Sequence, residues 1–360
     1  ALAAADRALD DDDGTSRVYY WRAHALYDMR RTTEARAAAE TAVAKDGDDV
    51  EALELLASIL LDEGKVDDAL YANQQAIDRQ PRVAAHHANR GALLFAAGRV
   101  DEAVASYSYA ASLAPGDAAL RADTATVLYA AGRYEDALAG YDDAARLAPA
   151  AAEHQRGRGL ALFALGRADE AIDAFSRAVD LDPMSASAHA NKAAALEAAG
   201  RLAEAALSAV EAIGLDPDHV MAHTVRGTIA LRLGDPAAAE LSFLAAADAA
   251  GNHPLVPLVL AGAAAWARGD EARARSSFAA ALELDPVRAA GRVSPWAAAE
   301  ARAIALTATD RSAEALAVLE QARSTRRPGD RPHLAAFDAL ANGPLAPPAG
   351  LDEVRRVASE

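Results

Sequence analysis

One interval constrains this chain more than any other feature. A glycine, or a residue standing in its place, returns about every 34 residues. Gly64, Gly98, Gly132, Gly166, Gly200 and Gly234 are each 34 apart, Gly269 follows after 35 and Asp310 after 41, and Arg30 precedes Gly64 by 34. With this residue set as position 15 of the unit, position 20 is Ala in all nine units, from Ala35 to Ala315, and position 27 is Ala in all nine, from Ala42 to Ala322. Even in an Ala-rich chain the chance of eighteen such matches is on the order of 10^-9, so the period is a property of the fold. A period of this size marks small units that cannot bury their apolar faces alone and must stack.

Each unit holds two stretches of about 14 residues with helical periodicity. The glycine ends the first helix, because it takes a positive φ without a Cβ penalty. A proline ends the second in six units, at Pro81, Pro115, Pro149, Pro183, Pro217 and Pro286. It removes a backbone donor and clashes with the preceding turn. Position 8 is always Ala or Gly, as at Ala23, Gly91 and Gly262, which lets helix axes approach closely. Larger residues at positions 11, 24 and 30, such as Leu94, Tyr107 and Leu113, are expected to fill the gaps.

The small–Ala–Ala–Pro frame at this spacing resembles the tetratricopeptide repeat family over residues 1–329. The resemblance implies an all-α, right-handed superhelical solenoid of helix-turn-helix repeats with a concave groove. Nine repeats are expected, at 16–49, 50–83, 84–117, 118–151, 152–185, 186–219, 220–254, 255–288 and 296–329. Residues 1–15 read as the second helix of a truncated repeat, and the chain as a fragment of a larger protein. Residues 330–360 read as a cap helix over 331–341, a linker with three prolines and one more short helix. Position 4, often Trp in the family, holds His87, His189, His223 and other residues here, which implies looser packing. An insertion at 287–295 is expected to change the superhelical pitch.

Composition removes several functional classes. The chain has 360 residues and no cysteine, which excludes disulfide scaffolds, Cys-ligated zinc and thiol nucleophiles. Its formal net charge of −17 disfavours a nucleic-acid partner, since phosphate-tracking proteins are normally basic. No apolar run is long enough to span a membrane. No signal peptide is visible, so the expected location is cytoplasmic, or the envelope if an upstream segment carries an export signal or anchor. Only three of the basic residues are Lys, which with the abundant Ala reads as the codon bias of a GC-rich bacterial genome.

Catalytic motifs are scarce, and neither an enzyme nor a cofactor is expected. Gly64-Lys65 lacks the rest of a phosphate loop, and Gly157-Arg158-Gly159 lacks the third glycine of a dinucleotide site. The acidic run 10–13 lacks calcium-loop spacing and reads as a solvated turn. His219 and His223 share a helix face, but repetition of His at position 4 favours packing over metal ligation. Paired acids such as Asp101-Glu102 and Asp169-Glu170 recur at positions 18 and 19, where they complement the start of the second helix.

The resemblance implies that the first helices line the concave face. Position 12 there reads Tyr27, Leu61, Phe95, Tyr129, Phe163, Glu197, Leu231, Trp266 and Thr307, so seven of nine are large and apolar where a solvated face should be polar. Position 6 carries Trp21, Asn89, Asp123 and Asn191, a partial ladder suited to a peptide backbone. Tyr20, His24 and Arg156 share the stripe. The expected function is a non-enzymatic scaffold that binds a peptide or protein segment in this groove, the acidic field favouring a neutral or basic partner. The alternative is a regulatory or substrate-presenting module of a larger enzyme or sensor.

Overall fold

The structure is a computed structural model that describes residues 1–10, 14–251, 253–284, 294–326 and 334–359. The acidic run beyond Asp10, most of the 287–295 insertion, and Pro286 lie outside these residues. It is all-α, with no strand among the described residues. The chain packs as two compact units, Ala1–Pro149 and Ala150–Glu360.

The first unit contains α1 (Leu2–Asp10), α2 (Ser16–Asp28), α3 (Thr32–Lys45), α4 (Val50–Asp62), α5 (Val66–Arg79), α6 (Ala84–Ala96), α7 (Val100–Leu113), α8 (Ala118–Ala130) and α9 (Tyr134–Leu147). The second begins with α10 (Ala152–Ala164), α11 (Ala168–Leu181), α12 (Ala186–Ala198), α13 (Leu202–Leu215), α14 (Val220–Arg232) and α15 (Pro236–Ala250). It continues with α16 (Leu255–Ala267), α17 (Glu271–Glu283), α18 (Pro295–Ala308), α19 (Ser312–Ala322), α20 (Leu334–Asn342) and α21 (Leu351–Ser359). Within each unit, consecutive helices pack as hairpins, α2 on α3 and α14 on α15 for example, and each hairpin stacks on the next.

The joints follow from the residues at them. Gly98 has φ of 73°, its N–H donates to Phe95 O at 2.9 Å, and Arg99 N–H donates to Leu94 O at 2.9 Å. This left-handed turn satisfies carbonyls that the helix end would orphan. Arg30 and Asp310 replace the glycine yet keep φ of 60° and 62° and the same pair of bonds. At the other end, Gln80, Ala114, Ala148, Asp182 and Asp216 each precede a proline and leave the helical region. The proline ring disfavours helical backbone in the residue before it.

Position 20 is fully buried in every unit, and position 27 in all but the last, where Ala322 is half-buried. Position 24 departs from the expected bulk. It is Tyr107, Tyr141, Phe175, Phe243, Phe278 or Leu319 in six units, but Ala39, Asn73 and Ala209 in the others. Four of the large residues stand opposite a glycine. Gly159 and Gly227 admit the rings of Phe175 and Phe243, which a β-carbon would meet at 2.5 Å.

The acids at position 19 do more than complement a helix start. Glu34, Glu102, Asp136, Glu170, Glu204 and Glu314 each pair with the Arg three residues earlier, at N···O distances of 2.6–2.8 Å. The guanidinium fork holds Glu34, Glu102, Glu170, Glu204 and Glu314 below the usual carboxylate range through its hydrogen bonds.

Candidate functional site

The residues singled out from the sequence all lie on the first helices of their hairpins, from Tyr20 on α2 to Trp266 on α16. In the first unit, α2 and α4 touch directly, so side chains on their shared face form one surface. Trp21 is 48% exposed and Phe95 37%. Tyr20 is half-buried, with its ring 5.0 Å from Trp21 and 6.2 Å from His24 in edge-on contacts. Arg17 lies over both aromatic rings, 4.8 Å from Tyr20 and 5.2 Å from Trp21, and its guanidinium pairs with Glu51. Burial pushes the Tyr20 hydroxyl up from its ordinary pKa. His24 pairs with Asp28 at 3.2 Å.

Polar residues bridge one hairpin to the next. The Tyr27 hydroxyl donates to Asp62 Oδ2 at 2.7 Å, and Asn89 Nδ2 donates to Glu54 Oε1 at 2.8 Å. Burial and then the Asp62 hydrogen bond raise the Tyr27 hydroxyl pKa. In the second unit the Tyr27–Asp62 positions hold Glu197 and Arg232, paired at 2.7 Å. Asp123 is exposed, while Tyr129 is half-buried with its ring 5.2 Å from Tyr134. Arg156 and Phe163 are half-exposed on α10.

Two residues expected on the open face are not there. Asn191 is buried at 7% exposure, which leaves the position-6 ladder to Asn89 and Asp123, both in the first unit. Trp266 is 3% exposed. It shares one apolar cluster with Ala336, Phe337 and Leu340 of α20, the helix that packs on α16. Gly343 ends that helix so close that a β-carbon would lie 3.2 Å from Trp266 Cδ1. The segment expected to be a cap and a tail thus covers the first helix of the hairpin at 255–288. The sequence carried a signal for this. α16 reads LVPLVLAGAAAWA with no charged residue, and a helix apolar on every side is buried on every side.

The position-4 histidines have a structural role. His87, His189 and His223 each place Nε2 at 2.8–3.0 Å from the carbonyl of the proline six residues back. A carbonyl only accepts, so Nε2 donates, and each ring ties a helix start to the loop before it.

A sequence profile described as tetratricopeptide repeat matches residues 20–78, 72–118, 123–186 and 191–254. The chain belongs to the tetratricopeptide repeat family. Among solved structures, it is similar to a tetratricopeptide repeat protein from Parabacteroides merdae, with 21% identity over 65% of this chain and 93% of that one and a TM-score of 0.55. Also similar are pilF of Pseudomonas aeruginosa, with 19% identity over 55% and 91% and a TM-score of 0.47, and YrrB, described as having an unusual peptide-binding site, with 22% identity over 51% and 95% and a TM-score of 0.42. At these identities the likeness is one of fold. No curated protein matches.

Proposed function

We propose that this tetratricopeptide repeat protein is a non-enzymatic scaffold that binds a peptide or protein segment along its first helices, on the concave side. The observation that carries the reading is the exposed set Trp21, Asn89 and Phe95 on α2 and α6, with half-buried Tyr20 and Tyr27 beside them. Rigid aromatic side chains held half-open by a packed scaffold supply contact area at low entropic cost, and such residues dominate binding energy. Asn89 and Asp123 supply hydrogen-bonding groups of the kind that fix a backbone in register. The net charge of −17 favours a neutral or basic partner. Hairpins stacked in one dimension give a long surface built from repeated small contacts.

Affinity capture from native lysate tests this, with wild type beside Trp21→Ala/Phe95→Ala. Both side chains are solvent-facing, so the variant is expected to fold and to lose the captured partner. Equal capture by the folded variant would move the site off this face.

A further inference from the structure

One hairpin places a polar residue where the others place a ring, a leucine or an alanine. Where position 8 is glycine, the space opposite is filled by Tyr107, Phe175, Phe243 or Phe278. In the hairpin of α4 and α5, position 8 is Ala57 and position 24 is Asn73, so no ring is present. Both residues line a cavity of about 240 Å³, together with Tyr27, Glu54, Asp62 and Asn89.

The walls of this cavity are rich in acceptors. Asn73 is 1% exposed, and its Nδ2 donates to the His86 carbonyl at 3.1 Å. That bond fixes the amide orientation, because a carbonyl facing a carbonyl would repel. Asn73 Oδ1 is then left as a buried acceptor with no hydrogen-bond partner among the described residues. Such an atom is costly to bury until a donor reaches it. Glu54 already accepts from His86 Nδ1 at 2.7 Å and from Asn89, both through Oε1. Asp62 accepts from Tyr27. No Lys or Arg lines the cavity among the described residues. Two carboxylates and a phenol ring, with the Asn73 side chain in the wall, therefore line a space smaller than the ~300–1,000 Å³ of a small-molecule pocket. The space suits one long side chain.

We propose that this cavity receives an arginine side chain of the bound segment. A planar guanidinium presents five donors in a fixed fork, can satisfy acceptors on several walls at once and stacks on an aromatic face. The proposal rests on the reading that a peptide lies along the first helices, and it names one residue of that peptide.

The test selects a displayed random peptide library on the full chain and measures the affinity of the best binder by calorimetry. The expected binders share an arginine, and replacing it by citrulline, its neutral isostere, weakens binding at least about tenfold. Ala57→Gly/Asn73→Phe, which refills the space with the pairing of the other hairpins, should lose the same factor and no longer distinguish arginine from citrulline. Glu54→Gln/Asp62→Asn keeps the side-chain volumes and retains amide oxygens that can accept from His86, Asn89 and Tyr27, and should lose affinity for the arginine peptide alone, which keeps the test decisive if the refilled variant does not fold. Binders without a shared basic residue, weakened by Trp21→Ala/Phe95→Ala but indifferent to the cavity variants, would overturn the cavity and leave the binding face standing. Failure to select any binder would overturn both.

Discussion

A β-carbon on Gly91 would lie 2.5 Å from Cδ2 of Tyr107, well inside van der Waals contact. The ring of one helix lies against the bare backbone of its partner, and the relationship recurs at Gly159 with Phe175, Gly227 with Phe243 and Gly262 with Phe278. Every glycine at position 8 faces a ring at position 24. Glycine faces a ring in four hairpins, and in three of the remaining five alanine faces Ala39, Asn73 or Ala209.

Gly159→Ala is therefore expected to overpack the α10–α11 contact and to cost about 1–3 kcal/mol. Phe175→Ala is expected to cost about 3–5 kcal/mol by leaving a cavity. The double variant should lose less than the sum, since the added methyl enters space that the ring vacated. Urea titrations of the four proteins measure the coupling.

Arg30 holds a left-handed backbone that glycine holds in most other hairpins. A Cβ there costs about 1–2 kcal/mol, partly offset by the greater freedom glycine has in the unfolded chain. Arg30→Gly should raise the melting temperature. Gly98→Ala should lower it, because it places a β-carbon at φ of 73°.

Acid should remove the Arg-to-acid forks at the second-helix starts. Glu34, Glu102, Glu170, Glu204 and Glu314 have carboxyl pKa values lowered by their arginines, so each fork stabilises the fold above the unfolded Glu value of about 4.3. That contribution is lost as pH falls through the lowered folded value. These pairs are solvent-exposed, so each contributes little and salt screens it. Melting curves across pH 7 to 3 should show a smaller acid-induced drop in an Arg99→Gln/Arg167→Gln/Arg201→Gln variant than in wild type.

Phe337 is fully buried in the cluster that covers Trp266. Phe337→Ala should destabilise the second unit by about 3–5 kcal/mol and admit water to the indole. Tryptophan emission should shift to the red before any global unfolding. Unchanged emission would mean that α20 does not seal this residue.

The helix joints were legible because they depend on local backbone chemistry. Gly98 and Pro115 act within a few residues of themselves, and the buried alanines recur at fixed places. The fate of Trp266 was harder to see, because what covers it lies about seventy residues further along the chain. The same-looking position gives open Phe95 and sealed Trp266, and only the packing of α20 tells them apart. The role of Asn73 is hidden in the sequence for a different reason. Its distinction is a polar side chain at position 24, where the other units hold rings, a leucine or alanine, and that contrast shows only when the units are compared place by place. The position-19 acids were correctly placed at helix starts, but their arginine partners emerged from side-chain geometry.

The most direct test of the binding face is site-specific photo-crosslinking in native lysate, with the crosslinker at position 95 on α6 or at position 71 on α5. Phe95 and Tyr71 are both exposed, and they sit on the first and second helices of neighbouring hairpins. A partner crosslinked from position 95 and not from position 71 is the predicted result. A partner crosslinked from position 71 alone would place binding on the second helices and contradict the account.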